Sequence, residues 1–222
     1  MNERARTALY TADWRMRVFS IYEEVRRLRS VDVVEAHEFW RVARNDLFEL
    51  HPASPLLPDD AAGFGGLPVA AYDPDWAFEV EIEEVDDDDP RPRRFEFETG
   101  TDGVVPFELL GVARLGAIGT LDVWRLASYG GGLFVPVKDA LAGRPGGTYG
   151  GGRYLIDTIK GASLDSNVAL GVVAHSTVTL DFNFAYNPSC AYDPAWACPL
   201  AQPGNRVDVE IPVGESYSGG MH

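Results

Sequence analysis

The sequence predicts an α+β fold that is mainly β, an antiparallel β-sandwich or barrel of about eight strands preceded by two N-terminal helices. Apolar residues recur at helical spacing before residue 52, and short segments that alternate apolar with polar residues follow, separated by glycine-rich turns. With 222 residues, of which 45% are hydrophobic, the chain can bury one sizeable core. We therefore expect a helical segment, 1–52, that packs on a β-rich domain, 53–222, as one compact unit.

Two amphipathic helices are predicted before the main body of the chain. Asp32 stands three residues before Glu35, an N-cap arrangement that marks the start of the second helix. Pro52 ends this helix, and we expect His51 to interact with its last carbonyl groups. The apolar stripes are Trp14, Val18, Ile21, Tyr22, Val25 and Leu28 in the first helix and Ala36, Phe39, Trp40, Ala43, Leu47 and Leu50 in the second.

The β-rich part begins with a segment of period two, in which Trp76, Phe78, Val80 and Ile82 alternate with mainly acidic residues. The four aspartates 86–89 cannot pair in a sheet without like-charge repulsion, so we expect them at an exposed hairpin tip. Their divergent side chains argue against a calcium loop. Further strands are predicted at 95–98, 107–113, 121–126, 133–137, 154–159, 178–183 and 207–213.

The net charge of −15 works against binding to nucleic acids and anionic membranes, because phosphate groups are repelled. No apolar run approaches the ~18 residues that span a bilayer, and the N-terminal residues lack the apolar core of a signal peptide. We therefore expect a cytoplasmic protein with neither a nucleic-acid nor a membrane partner.

The charged residues are unusual in kind as well as in balance. Lys138 and Lys160 are the only lysines among 19 basic residues, which leaves 19 − 2 = 17 arginines beside 34 acidic residues. Such acidity suits a high-salt cytoplasm, in which self-repulsion is screened. A GC-rich genome, which favours arginine codons over lysine codons, explains the excess of arginine equally well.

Polar residues in two constrained segments are candidates for a ligand site. Arg153 follows a glycine-rich loop and is flanked by Tyr149 and Tyr154, a fork of donors between aromatic walls that suits a small anionic or carbonyl ligand. Asp181 and Asn183 lie on the polar face of the predicted strand 178–183. The long loop that follows contributes a sixth candidate, Asn187.

The sequence contains two cysteines and four histidines. Cys190 and Cys198 enclose seven residues, unlike a zinc knuckle, so buried thiols, a disulfide, and a redox or metal pair all remain open, with the first favoured in a cytoplasm. We expect His37 and His175 to be structural or surface residues and His222 to be a terminal one.

A series of short motifs runs in order along roughly residues 38–215 and is densest from 180 onward. The series is Arg44, Phe48, His51-Pro52, Ser54-Pro55-Leu56, Phe64, Gly66-Leu67, Leu133-Phe134-Val135-Pro136, Asp139, Thr148-Tyr149-Gly150, Gly152-Arg153-Tyr154-Leu155, Leu180-Asp181-Phe182-Asn183, Ala185-Tyr186-Asn187-Pro188, Cys190-Ala191-Tyr192, Cys198-Pro199-Leu200, Pro203, Asn205 and Gly214-Glu215. In these landmarks the chain resembles the family catalogued as domain of unknown function 1684. Asp157 departs from the pattern, because family members carry an acid directly after the Gly-Arg-Tyr-Leu element and here Ile156 intervenes. The family has no established activity, so the resemblance implies only that its landmarks converge on one pocket.

The leading functional hypothesis is a small-molecule-binding β-rich protein with a polar pocket near Arg153 and the segment 181–198. A first alternative is a hydrolase-like or metal-dependent enzyme that uses Asp181 or Glu215 as a general base, or His51 with the two cysteines around a metal. A second alternative is a protein-interaction module, with the N-terminal helices as a homodimer interface. These residues identify neither a catalytic group nor a cofactor, and we assign no metal ligand in the leading hypothesis.

Overall fold

The computed structural model of the protein describes residues 2–99, 103–165 and 177–217. It confirms the α+β fold that is mainly β, with two long N-terminal helices before an antiparallel sheet. His175 and His222 lie outside the described residues. None of the helices in the described part of the chain combines the length and apolarity needed to cross a membrane.

The two helices, α1 (Glu3–Arg29) and α2 (Val33–Leu50), begin at side-chain caps. Asn2 Oδ1 accepts from Ala5 N at 2.8 Å, and Asp32 Oδ1 accepts from Val34 N at 2.8 Å, as its position in the sequence predicts. The buried stripes hold the helices against each other and against the sheet through Tyr22, Val25, Leu28, Ala36, Trp40, Leu47 and Phe48.

His51 is the C-cap of α2 and interacts with its last carbonyl groups, as predicted, through its backbone N–H, which donates to Leu47 O at 3.2 Å. The imidazole takes no part in this cap. Because the His51 backbone is extended, the ring turns away from the last carbonyls. Its Nδ1 accepts from Ala53 N at 3.0 Å, and its Nε2 lies 2.9 Å from Asp13 Oδ2 of α1.

Seven strands form one sheet in the described residues, in the order β6-β5-β4-β3-β1-β7, with β2 paired to β3 beside this path. All the named pairs are antiparallel. A short helix, α3 (Pro58–Ala61), precedes the sheet. The strands are β1 (Ala77–Glu83), β2 (Arg94–Thr99), β3 (Gly103–Arg114), β4 (Thr120–Leu126), β5 (Leu133–Val137), β6 (Arg153–Asp157) and β7 (Thr177–Asp181).

The sheet curls into a nearly closed barrel, which settles the choice between sandwich and barrel. Tyr154 N donates to Tyr186 O at 2.8 Å and Tyr186 N to Tyr154 O at 3.1 Å, so β6 pairs with the chain just beyond β7. The interior is filled by aliphatic residues and Phe182, including Leu121, Val123, Val135, Ile156, Leu180 and Ile211. The helices cover one side of this barrel through Tyr22, Val25, Trp40, Ala162, Leu164 and Phe184.

Two local predictions are wrong. The aspartates 86–88 are exposed as expected, but the connection is not a hairpin tip, because β1 pairs with β3 and β7 while β2 pairs with β3. The segment 207–213 buries alternate residues and yet forms no strand. Its first half makes two hydrogen bonds with the chain after β5, from Val207 N to Lys138 O and from Ala140 N to Val209 O, each at 3.0 Å. The carbonyl groups of Ile211 and Val213 are bound by the Arg153 side chain.

Candidate functional site

A buried carboxylate, Glu215, organises the region where the helices meet the barrel. Its side chain is fully buried, and Arg44 Nη2 of α2 donates to its Oε2 at 2.8 Å. Asn187 donates to both carboxylate oxygens, from its backbone N at 3.1 Å and from Nδ2 at 3.2 Å. The Tyr192 hydroxyl also donates to Oε1. Glu215 is therefore a paired and hydrogen-bonded carboxylate whose partners come from α2 and from the segment 187–192.

Arg153, at the start of β6, hydrogen-bonds to the backbone of the segment 211–215 that contains Glu215. Its Nη1 donates to the carbonyl oxygens of Val213 at 2.5 Å and Glu215 at 3.2 Å, and its Nη2 donates to Asp139 Oδ2 at 3.0 Å and to Ile211 O at 3.2 Å. Burial lowers the pKa of Arg153, and the charge of Asp139 opposes this effect. The guanidinium thus donates four hydrogen bonds to protein oxygens, and its Nε has no partner among the described residues.

A small cavity, which we call the junction cavity, lies between the helices and the barrel wall. Its volume is ≈ 60 Å³. Residues from α1, α2, β6, the turn after β6 and the segment 186–189 enclose it: Trp14, Val18, Ile21, Tyr22, Arg44, Leu47, Phe48, Tyr154, Lys160, Tyr186, Asn187, Pro188 and Ser189. Arg44 and Lys160 are cationic, and none of these lining residues is acidic. Each cation is also paired with a buried carboxylate outside the lining, Arg44 with Glu215 and Lys160 with Asp157.

Two lining residues have buried polar atoms that lack a hydrogen-bond partner in the described part of the chain, Arg44 Nε and Asn187 Oδ1. The Arg44 guanidinium also lies against aromatic rings, with Cζ 5.0 Å from the ring centroids of both Trp40 and Tyr186. Burial, the largest effect, would lower its pKa, but the charge of Glu215 acts together with the phenol groups of Tyr192, Tyr22 and Tyr186 in the opposite direction, and the net result is a raised pKa. Arg44 therefore keeps its charge, and its Nε has no hydrogen-bond partner among the described residues.

The six residues predicted as a ligand site fall into three places. Tyr154 and Asn187 line the junction cavity, and Arg153 is joined to Asn187 through Glu215, whose backbone and side chain they bind. The Tyr154 hydroxyl donates outward to Pro199 O at 2.6 Å. Tyr149 lies apart from the cavity and donates from its hydroxyl to Cys190 O at 3.3 Å.

Asp181 and Asn183 form a separate buried cluster. Asp181 Oδ1 accepts from Asn183 Nδ2 at 2.8 Å, and Asn183 Oδ1 accepts from Asp73 N at 2.8 Å. His37 Nε2 lies 3.0 Å from the Asn183 carbonyl oxygen. Burial raises the pKa of Asp181, against the hydrogen bonds from Asn183. Both residues are at most 2% exposed. Their hydrogen bonds join the loop before β1 to the end of β7.

Three residues of this region were not predicted as site residues: Arg44, Lys160 and, in the binding hypothesis, Glu215. Arg44 could have been recognised as a buried residue from the sequence, because it lies on the apolar stripe of α2 four residues after Trp40. Lys160 carried none, since it follows β6 in a turn that brings its Nζ 3.6 Å from Asp157 Oδ2 and over the Tyr154 ring. Asp157 itself is buried, with Oδ1 unpaired in the described residues.

The alternative of a metal-dependent enzyme receives no support from a cluster of potential metal ligands in the described part of the chain. Within residues 2–99, 103–165 and 177–217, no group of three or more His, Cys, Asp and Glu side chains is placed to hold a metal ion. His51 packs against Trp14, with ring centroids 5.4 Å apart, and pairs with Asp13. Both cysteines are free thiols, and the chain brings them together in one loop.

Comparison with known proteins identifies relatives without identifying an activity. A solution NMR structure of an uncharacterized protein of Haloarcula marismortui is similar to this chain at 28% identity and a TM-score of 0.56, over 79% of this chain and 89% of the other. Comparison with curated proteins gives no match. The sequence model of a family described as a protein of unknown function, DUF1684, matches residues 62–216. The match leaves out α2 and with it Arg44. As it spans well over half of the 222 residues, the chain belongs to the DUF1684 family.

Proposed function

We propose that the protein binds a small carboxylate- or carbonyl-bearing molecule in the junction cavity. The observation that carries this proposal is the cavity lining, which has two cationic side chains, no acidic one, and two buried polar atoms without partners in the described residues. A buried polar atom that lacks a hydrogen bond costs free energy, and a ligand that supplies the bond recovers it.

Each lining group has a distinct part in this proposal. Arg44 Nε and the Lys160 ammonium donate to the ligand's carboxylate or carbonyl oxygens, and Asn187 Oδ1 accepts from a hydroxyl or amide hydrogen of the ligand. Trp14 and Tyr186 supply apolar walls. A volume of ≈ 60 Å³ is far below the ~300 Å³ of a typical drug-sized site. The cavity therefore accepts the polar end of a small metabolite, or a whole molecule of a few non-hydrogen atoms.

In the junction cavity Arg44, and not the sequence-predicted Arg153, is the arginine that would bind the anion. Both Nη atoms of Arg153 already donate to protein oxygens, so a ligand would have to break native hydrogen bonds to reach them. Arg44 lines the cavity and has only Nη2 hydrogen-bonded to Glu215 in the described structure, and its buried Nε has no partner there. Cytoplasmic residence, expected from the sequence, is retained as part of the proposal.

The two lysines allow a direct test. Dimethylation with a carbon-13 label gives one NMR signal for Lys160 and one for Lys138, whose Nζ donates to Gly150 O at 2.6 Å outside the cavity. Titration with small carboxylates, and with their neutral amides as controls, should shift the Lys160 signal alone. Lys160→Met should weaken carboxylate binding by about tenfold, the effect of one charged hydrogen bond, and the matched variant Lys138→Met should not.

Equal affinity of Lys160→Met and Lys138→Met would remove the cavity from consideration as the anion site. Absence of any saturable shift at Lys160 across the carboxylate series would also overturn the proposal. Arg44 is left unchanged in this test because its replacement strands Glu215 and confounds binding with stability.

We further propose that a second copy of the chain docks on the outer groove between α1 and α2. This groove, ≈ 840 Å³ in volume, exposes Met16 and Leu50, which are 66% and 74% exposed. The exposed start of α1 carries Arg4 and Arg6, and the groove carries acidic residues such as Asp46. Charge complementarity therefore favours α1 of the second copy as the occupant, with each copy filling the groove of the other around a two-fold axis.

Light scattering on the full chain should give twice the monomer mass. The variant Leu50→Asp, which puts a charge on an exposed apolar position, should reduce the mass to that of a monomer, whereas Val31→Asp, an exposed apolar position outside the groove, should leave the dimer intact. A monomer mass for the unaltered chain at micromolar concentration would contradict this second proposal.

A further inference from the structure

The two cysteines of the chain form a thiol pair beside the junction cavity. The Cys190 thiol hydrogen-bonds to the sulfur of Cys198, although seven residues separate them in sequence. The turn 189–191 at the start of the loop folds the chain back, with Ala191 N donating to Pro188 O at 2.9 Å and Tyr192 N to Ser189 O at 3.1 Å. A single short segment, 149–151, holds both ends of the loop, since the Tyr149 hydroxyl donates to Cys190 O at 3.3 Å and Ala201 N donates to Gly151 O at 3.3 Å, and both cysteines are free thiols.

The surroundings of the two sulfurs are unequal. Backbone N–H groups of Ser189 and Cys190 point at the Cys198 sulfur, and the Lys160 ammonium adds a positive charge nearby. The Tyr149 hydroxyl lies 3.7 Å from the Cys190 sulfur. Because Cys190 donates its hydrogen bond to Cys198, the pKa of the Cys198 thiol is lowered and that of Cys190 is raised. These are the conditions in which a thiolate forms at one member of a pair.

The loop also gives access and freedom to move. Cys190 is half-buried and Cys198 is 8% exposed, while residues 194–197 between them are exposed, Trp196 to 45%. Exposed connecting residues can shift by the small distance that a disulfide requires without disturbing the buried residues Ala191 and Tyr192. A metal role is less suited to the pair, because no third ligand stands beside it within the described residues.

We propose that Cys190 and Cys198 are a peroxide-reactive site that closes reversibly into an intramolecular disulfide. The Cys198 thiolate attacks one oxygen of hydrogen peroxide, the O–O bond breaks, and the products are a sulfenic acid on Cys198 and hydroxide. The Cys190 sulfur then attacks the Cys198 sulfur, the S–O bond breaks, and the departing hydroxide takes the Cys190 proton to become water. Two thiols and one peroxide thus give one disulfide and two waters, and a dithiol reductant reverses the change.

Intact-protein mass spectrometry tests the proposal on the full chain, which contains no other cysteine. Treated with stoichiometric peroxide at pH 7, the unaltered protein should lose the mass of two hydrogen atoms, stay monomeric in covalent terms, and regain both thiols with dithiothreitol. Cys190→Ser should stop at a sulfenic acid on Cys198 that a dimedone reagent traps. Cys198→Ser should react at least ~10-fold more slowly, because the thiolate is lost and an ordinary thiol is only a few per cent ionised at pH 7.

The chain unfolded in urea provides the reference rate for unstructured thiols, and circular dichroism verifies that both variants fold. Persistence of two free thiols under a peroxide dose that oxidises the unfolded chain would overturn the proposal. So would equal peroxide rates for Cys190→Ser and Cys198→Ser, since the structure makes the two sulfurs unequal. Neither cysteine lines the junction cavity, although Lys160 lies between the two sites, so both oxidation rates are measured without added carboxylate.

Discussion

At the scale of single residues, two buried arginines carry much of what distinguishes this molecule. Arg153 was recognisable from the sequence as a constrained donor between tyrosines, and the structure uses that fork of donors internally, to bind three backbone carbonyls and Asp139. The importance of Arg153 was predictable from the sequence. Its three carbonyl acceptors were not, because they belong to residues 58 to 62 positions farther along the chain. Arg44 was quoted only as a family landmark, and its neighbour Glu215 lies 171 positions away.

Replacement of Arg153 is expected to lower the free energy of unfolding far more than replacement of a comparable surface arginine. Arg153→Met leaves Asp139 as an unpaired buried charge and three carbonyl groups without donors, so the free energy of unfolding should fall by about 3–5 kcal/mol. Arg144→Met removes an ion pair with Glu210, to the same C-terminal segment, in which both side chains are more than half exposed. That control should lose at most ~1 kcal/mol.

Urea denaturation followed by circular dichroism measures both losses. If Arg153→Met and Arg144→Met lowered the free energy of unfolding equally, the hydrogen bonds of Arg153 would not stabilise the fold. The C-terminal segment would then be held by its apolar residues instead. Arg153→Lys adds a further comparison, because it keeps the charge and loses the planar fork of donors. We expect it to lie between the other two, since one ammonium can pair with Asp139 but cannot also reach the carbonyls of Ile211 and Val213.

At the scale of elements, the patterns that rest on local periodicity were predictable and those that rest on distant partners were not. Helix α2 begins at Asp32 because that carboxylate satisfies the first free amides, a rule that needs only four consecutive residues. The seven alternating or apolar segments predicted between residues 76 and 183 correspond to the seven strands within a few residues. The order of these strands depends on the curvature that brings Tyr154 to Tyr186, which no local pattern encodes.

The segment 207–213 shows why period two predicts burial better than it predicts a strand. Val207, Ile211 and Val213 are buried and the residues between them are mostly exposed, as alternation requires. A ladder needs a neighbouring strand with free backbone groups, and the adjacent chain turns at Asp139, whose Oδ1 accepts from Leu141 N at 2.7 Å. A side chain, Arg153, then completes the hydrogen bonds that a strand would have supplied.

At the scale of the whole molecule, the net charge of −15 is spread over surfaces that lack compensating lysines. The helix α1 is an exception, with seven arginines against four acidic residues in 3–29, so the remainder of the chain is more negative still. Like charges repel within a compact fold, and added salt screens them over a Debye length of ~10 Å at 0.1 M and ~3 Å at 1 M. We therefore expect the stability of the fold to depend on salt.

Melting temperature should rise as KCl increases from millimolar to molar concentration, by at least ~5 °C, because a gain of ~2 kcal/mol corresponds to roughly that shift for a chain of this size. The triple variant Asp86→Asn, Asp87→Asn, Asp88→Asn changes only exposed carboxylates and brings the net charge from −15 to −15 + 3 = −12. It should melt higher than the unaltered chain at low salt and approach it in molar KCl. Sucrose at equal osmolality separates screening from general exclusion effects. A melting temperature that does not change with KCl in either protein would remove adaptation to a salty cytoplasm as the reason for the acidity and leave arginine-rich codon usage as the account of the basic residues.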